Sequence, residues 1–218
     1  MKTALVFGSS GLIGGHLLNE LIQSDNYNKI KLFVRSDHGS NHLKTEIIKT
    51  DFNNLENHKE DIKGDDCFFC IGTTKQNSPD KNEYKRVELD VPKKIAQIAK
   101  SNLVNSFVFV SSGYADPNSS GDYLKFKGLV EEELKRLSFS KLGIMRPSFL
   151  MGDRKEKRVG EKVGIFIFKL LSPLFLGPLK KMKPIHSKKV AKAMIKITNG
   201  DFKQNVFESN EIVEVSNS

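Results

Sequence analysis

Cysteine is scarce in this chain of 218 residues: Cys67 and Cys70 are the two it has. That is too few for a disulfide scaffold and suits a reducing compartment. Proline and glycine number 7 and 16, which excludes collagen-like and low-complexity classes. No apolar run reaches the roughly 20 residues of a membrane-spanning helix. The nearest, residues 163–179, is interrupted by Lys169, Pro173 and Pro178. The N-terminal apolar run ends at Gly8, short of the roughly seven residues a signal-peptide core needs. A soluble, cytoplasmic protein is expected.

With 38% hydrophobic and 28% charged residues, the chain can bury a core. The net charge of +9 is localised. Residues 151–192 hold 12 Lys/Arg against 3 Asp/Glu, and the remainder is balanced at 23 of each sign. A basic stretch suits an anionic partner such as a phosphorylated ligand or a membrane surface, or it is a solvated lysine-rich face. No recognisable reading module accompanies it, so no nucleic-acid partner is expected.

Short continuous apolar runs alternate with helical periods. Residues 2–7, 30–34, 46–48, 67–71, 107–110 and 142–145 read as strands, and 12–21, 91–99 and 123–137 as helices. Continuous apolar strands separated by helices indicate a parallel sheet covered on both faces. The expectation is an α/β, doubly wound, Rossmann-like sheet of six or seven strands. Beyond Pro147 the order changes: a basic apolar-rich segment, a helix with Ser187 as N-cap, then a strand-like tail over 206–215. One domain over 1–218 follows, with 1–147 a cofactor-binding core and 148–218 a small substrate-side subregion.

The strongest local signal is Phe7-Gly8-Ser9-Ser10-Gly11-Leu12-Ile13-Gly14, between the first strand and the first helix. Gly8 permits a sharp turn, Gly11 a close approach of backbone to a pyrophosphate, and Gly14 tight packing of helix on sheet. The first helical N–H groups then face the phosphates. At the tip of the second strand an NAD site places a carboxylate, whereas an NADP site uses arginine. Here the tip carries Arg35 and Ser36, which favours NADP(H); Asp37 follows and leaves NAD(H) open. Asp51 and Phe52, after the third strand, are placed to line an adenine pocket, with a turn cap the plain alternative for Asp51.

Val110-Ser111-Ser112-Gly113 precedes Tyr123 and Lys127, which stand one helical turn apart on one face. A free phenol titrates near pH 10, and a neighbouring ammonium favours its ionised form. A serine hydroxyl at the strand tip can orient a carbonyl, so Ser111 or Ser112, the latter slightly preferred, completes a kit for carbonyl reduction. Tyr27 and Lys31 match the same spacing but fall at the wrong end of the strands for a ligand site.

Together these residues resemble the short-chain dehydrogenases/reductases, specifically the atypical branch. Cys70-Ile71-Gly72-Thr73-Thr74, Val87-Glu88-Leu89-Asp90, Val110-Ser111-Ser112-Gly113, Arg146-Pro147 and the run from Asp153 to Arg158 are similar to the Tat-interacting-protein-like oxidoreductases. The resemblance covers nearly the whole chain. It implies NADPH contacts at Ser10, Gly11, Leu12, Ile13 and Arg35, at Ile71 and Gly72 beside the ribose and nicotinamide, and at Tyr123, Lys127, Leu150 and Arg158. The family pattern has a second arginine where this chain has Ser36. Related reductases complete a proton relay with an asparagine, and none is assigned here.

The activity implied is NAD(P)(H)-dependent oxidation or reduction of a small carbonyl or alcohol. A cofactor-binding sensor without turnover and a nucleoside-diphosphate-sugar epimerase are the rivals. Residues 164–179, apolar with basic flanks, read as a helix and substrate lid, or as a contact to an acyl chain or membrane surface. A lipid-like substrate fits both. A monomer or homodimer is expected. Cys67 and Cys70 would face opposite sides of a strand, which argues against a redox pair. No histidine has metal-ligand spacing, so no metal is expected, and His186 is read as a surface residue or a border of the substrate site.

Overall fold

The computed structural model describes residues 1–36, 41–151 and 184–218. The main sheet comprises β1 (Lys2–Phe7), β2 (Tyr27–Val34), β3 (Thr45–Lys49), β4 (Asp66–Phe69), β5 (Ser106–Val110), β6 (Lys141–Arg146) and β9 (Val206–Glu208). Their order is β3-β2-β1-β4-β5-β6-β9, every neighbouring pair parallel. A two-stranded ladder, β7 (Leu150–Met151) with β8 (Ile185–His186), lies apart. This is the Rossmann-like doubly wound sheet that the apolar runs predict. The chain leaves β1 toward β2 and β3, then crosses back to β4. That reversal opens a crevice at the carboxyl ends of β1 and β4, where such folds take their ligands.

The central strands are apolar over most of their length because both faces are covered. Ala4 and Val6 join one core with α1 (Leu12–Gln23), α5 (Ser187–Asn199) and α6 (Ser209–Asn217). Leu5 and Phe7 join the other, with α3 (Val91–Ser101) and α4 (Asp122–Leu137). On this second face Phe7 stacks on Phe33, ring centroids 4.2 Å apart. Among the described residues the sheet separates the two cores, so strand alternation decides which helices each residue touches.

The C-terminal segment is tied to the beginning of the chain. Lys2 Nζ donates to the Thr198 carbonyl at 3.1 Å and to Asn199 Oδ1 at 3.0 Å, and pairs with buried Asp66 at 3.0 Å. Tyr27 donates its hydroxyl to Asp66 at 2.7 Å and lies 2.8 Å from Thr198 Oγ1. This tyrosine, whose spacing to Lys31 imitates a catalytic pair, sits at the amino ends of the strands. Burial and the Asp66 charge push its hydroxyl far above the ordinary range.

Three expectations are corrected. The tail over 206–215 is a short strand followed by a helix. Glu208 and Glu211 form a capping box, Glu211 accepting from Glu208 N at 2.7 Å, and Ile212 and Val215 then share the helix face toward the core. Ser187 is the first residue of α5 rather than its cap: His186 Nδ1 accepts from Lys188 N at 3.2 Å, and Ser187 is buried. Strand β4 also closes at Phe69, which leaves Cys70 and Ile71 to form the loop at the crevice.

Candidate functional site: a glycine cradle beside a tyrosine–lysine pair

Gly8 adopts φ +92°, and a Cβ there would lie 2.9 Å from the Cys70 carbonyl carbon and Ile71 N. A Cβ on Gly14 would lie 2.0 Å from Gly8 O, so α1 can start this close to β1 only with glycine. Gly11 N donates to Gly8 O at 3.1 Å and closes the turn. Helix α1 begins with no side-chain cap and no acid in its first turn, which leaves its leading N–H groups to an outside acceptor. Ser10 and Gly11 are exposed at this opening and Leu12 is half-buried. The Ser9 hydroxyl is buried with no hydrogen-bond partner among the described residues. An uncapped helix start, a cradle a Cβ would fill and an orphaned hydroxyl fit a pyrophosphate. Ile13 and Gly14 are buried and shape the turn from beneath.

At the other end of the crevice Arg35 and Ser36 are exposed directly after β2. Asp51 caps its own turn: its carboxylate accepts from Asn53 N at 2.9 Å and Asn53 Nδ2 at 2.7 Å, and these bonds hold it below the usual carboxylate range. Phe52 follows at φ 63°, its ring 6.4 Å from that of Phe7 and its carbonyl accepting from Arg86 Nη1 at 3.2 Å. Arg86 also grips Glu83 through Nε at 2.7 Å and Nη2 at 2.8 Å, and Arg35 lies within electrostatic reach of that same carboxylate. The Glu83–Arg86 pair went unread in the sequence, where it looks like an ordinary i,i+3 helix pair.

Tyr123 and Lys127 stand on α4 as expected, beside the Ile71–Gly72 loop. Tyr123 is 39% exposed, with its ring centroid 6.0 Å from Lys127 Nζ. Lys127 is buried, donates to Val110 O at 3.2 Å and pairs with Glu88 Oε2 at 3.0 Å. Burial pushes this ammonium toward neutrality, yet Glu88 above all, with Tyr123 and Cys70 adding, overrides that and holds it above the usual lysine range. A Cβ on Gly72 would lie 3.5 Å from Glu88 Oε1 and 4.0 Å from Lys127 Nζ, so the loop lies over the pair. Glu88 enters the sequence reading only within the family run Val87–Asp90, with no role assigned to it. It stands in a π-helical turn, Arg86–Asp90, that follows α2 (Lys81–Lys85), and nothing in an acidic residue of a helical run marks it as buried.

The two serines differ. Ser111 is buried and donates Oγ to Glu131 Oε1 at 2.5 Å. Glu131 in turn accepts from Arg146 Nε at 2.9 Å and Nη2 at 2.5 Å, and Arg146 reaches Ala115 O at 3.1 Å. Ser112 is half-buried, and among the described residues no hydrogen bond engages its hydroxyl. Gly128 supports this loop: a Cβ there would lie 2.3 Å from Pro117 N, so residues 116–117 rest directly on α4 one residue past Lys127.

Leu150 lies in β7, half-buried, opposite Ile185 in the ladder. Asp37, Arg158 and the apolar basic segment 164–179 lie outside the described residues. His186 is exposed, its ring 5.8 Å from that of His16. Cys67 and Cys70 face opposite cores, and burial pushes the Cys70 thiol up to about 12 against the opposing pull of Lys127. Among the described residues no group of three or more His, Cys, Asp or Glu is arranged to hold a metal ion. No helix among them is long and apolar enough to cross a membrane.

The model of the NAD(P)H-binding family matches residues 8–200. The chain belongs to that family. Within it, the chain is an atypical short-chain dehydrogenase/reductase of the Tat-interacting-protein-like kind. It is 33% identical to protein HTATIP2 of Rattus norvegicus over 166 residues, 73% of this chain and 67% of that one. It is 30% identical to protein FMP52, mitochondrial, of Eremothecium gossypii over 221 residues, 97% of this chain and 96% of that one. Among solved structures it is similar to a UDP-N-acetylglucosamine 4-epimerase of Methanobrevibacter ruminantium, with TM-score 0.72, 20% identity and coverage of 98% and 80% of the two chains. The Bordetella bronchiseptica enzyme WbmH in complex with NAD+ gives TM-score 0.70, 16% identity and coverage of 95% and 75%. The two structural likenesses carry the fold of this NAD(P)H-binding family member and nothing finer.

Proposed function

We propose that the protein is an NADP(H)-dependent oxidoreductase acting on a small carbonyl or alcohol. The observation that carries this reading is a charged, buried Lys127 beside half-exposed Tyr123, at the crevice edge shared with the glycine cradle. When bound, the cofactor supplies the hydride. The cradle from Gly8 to Gly14 binds its phosphates, and Ile71 and Gly72 flank the nicotinamide half. Tyr123 donates the proton to the carbonyl oxygen, or takes it in the reverse direction. Lys127 stabilises the resulting phenolate electrostatically. Ser112, with its hydroxyl disengaged, orients the carbonyl, while Ser111 holds the strand tip through Glu131.

Arg35, exposed directly after β2, has the charge and planar fork that suit the 2′-phosphate and favour NADP(H) over NAD(H). Leu150 and Arg158 are read, as the family resemblance implies, as further contacts to the cofactor. An apolar substrate suits the composition of residues 164–179.

The decisive experiment pairs cofactor binding with turnover. NADPH should bind wild type and Tyr123→Phe with equal affinity, read from the cofactor's own fluorescence, since the chain has no tryptophan. Oxidation of NADPH by a panel of small aldehydes, ketones and quinones should occur with wild type and vanish in the variant. Tight NADPH binding by wild type without turnover of any of them would favour the sensor reading instead.

A further inference from the structure

Glu88 is buried at the centre of the site, and the reaction proposed above gives it no task. Three observations converge on it. The π-helical turn Arg86–Asp90 is wider than an α-turn, a feature that recurs at functional sites, and Glu88 lies at its middle. One carboxylate oxygen lies 3.0 Å from Lys127 Nζ, with the two side chains 0% and 4% exposed. The other accepts from Thr73 N at 2.5 Å, in the loop that covers the pair. Burying two opposite charges rarely repays the cost of desolvating them, and an apolar pair of similar volume often holds a fold as well. Stability therefore does not account for an ionic pair here.

The surroundings show what does. Lys127 Nζ has the Val110 carbonyl at 3.2 Å and the Phe109 ring centroid at 4.8 Å. Tyr123 faces it from its own helix and Cys70 from the loop after β4, while Tyr84 of α2 lies within electrostatic reach of Glu88 and Tyr123. Tyr84 and Cys70 are each pushed up to about 12 by burial and stay neutral. Asp122 is engaged by Lys75 at 3.0 Å on the surface. Glu88 is thus the one carboxylate at ion-pair distance from Lys127 among the described residues. Without it, desolvation acts on the ammonium unopposed.

We propose that Glu88 is a positioning residue: its carboxylate keeps Lys127 charged and fixed beside Tyr123, and anchors it to the Thr73 loop. This rests on the reaction assigned above, in which Lys127 must be an ammonium to stabilise the phenolate. A neutral lysine at the same place would leave the tyrosine a poor acid.

The test uses Glu88→Gln, Lys127→Met and the double variant, unfolded in urea from about pH 6 to about pH 9.5, a range in which a lysine of the unfolded chain stays protonated. In wild type Lys127 is charged in both states and adds no slope. In Glu88→Gln folding expels the lysine proton, so the folding constant should rise with pH, by up to tenfold per unit. Lys127→Met and the double variant should lack that rise. Identical pH dependence of Glu88→Gln and wild type would overturn the proposal. Should Glu88→Gln stay unfolded throughout, folding of the double variant supports the proposal, and its failure to fold overturns it.

Turnover supplies the second arm. In Glu88→Gln, activity should decline with rising pH at the midpoint seen in unfolding, where wild type shows no decline. A loss independent of pH together with an unfolding series that matches wild type would mean a structural role only. Absence of turnover in wild type would defeat the assigned reaction, while the unfolding series would still decide the charge state of Lys127.

Discussion

Gly14 and Gly15 are neighbours in the first turn of α1, and alanine should have opposite consequences at the two. At Gly14 the new Cβ would lie 2.0 Å from Gly8 O, 2.7 Å from Gly8 C and 3.0 Å from Ser9 Cα, all backbone atoms of the cradle. No rotamer change relieves such a clash; helix and turn must separate by about 1 Å or more. Overpacking of this kind costs about 3 kcal/mol, and the better helix propensity of alanine returns about 1 kcal/mol. A net loss near 2 kcal/mol corresponds to a fall in Tm of about 6 °C for a chain of this size. At Gly15 the Cβ would meet only Ser9 O at 3.6 Å, an ordinary contact, so propensity acts alone. Gly15→Ala should gain about 0.5–1 kcal/mol. Urea unfolding measures both, and NADPH titration should show affinity reduced at least tenfold for Gly14→Ala alone, because the displaced element is the phosphate cradle. Equal stability and equal NADPH affinity for the two variants would refute the tight-packing account of this turn.

Three further outcomes follow from the site. Arg35→Gln should weaken NADPH binding by about 10- to 100-fold, the worth of a charge-assisted contact, and leave NADH unchanged, so equal losses would remove the 2′-phosphate role. Ser111→Ala should cost about 2 kcal/mol of stability through its buried bond to Glu131, whereas Ser112→Ala should leave stability alone and lower turnover by about 100-fold. Arg146→Met strips buried Glu131 of its bidentate partner and should destabilise by about 3–5 kcal/mol in chemical unfolding.

The parts of the molecule that were readable in advance are those where local chemistry and tertiary role coincide. The glycine turn needs its residues for backbone reasons that spacing alone reveals, and apolar runs declare a sheet covered on both faces. Tyr123 and Lys127 were readable because helical periodicity puts them on one side of α4 after a strand ending in serines. Glu88 and Glu131 were not, since a buried acid in a helical run looks like any solvated one until its partner from another element is known. Lys127 and Arg146 lie 39 and 15 residues further along the chain. The tail from Val206 was misread because β-branched residues at 206, 212, 213 and 215 suit a strand. The capping pair Glu208 and Glu211, three residues apart, was the available signal for a helix.

The tether between the first strand and α5 sets a schedule for synthesis. One side of β1 and β2 is covered largely by α1 and α5, and α5 is completed only at Asn199. At translation rates of about 5–20 residues per second, that side waits on the order of ten to forty seconds for its cover. A ribosome-stalled chain ending near residue 150 should therefore present Lys2, Asp66 and Tyr27 without Thr198 and Asn199, and offer holding chaperones an apolar strip that vanishes once the remaining third has emerged.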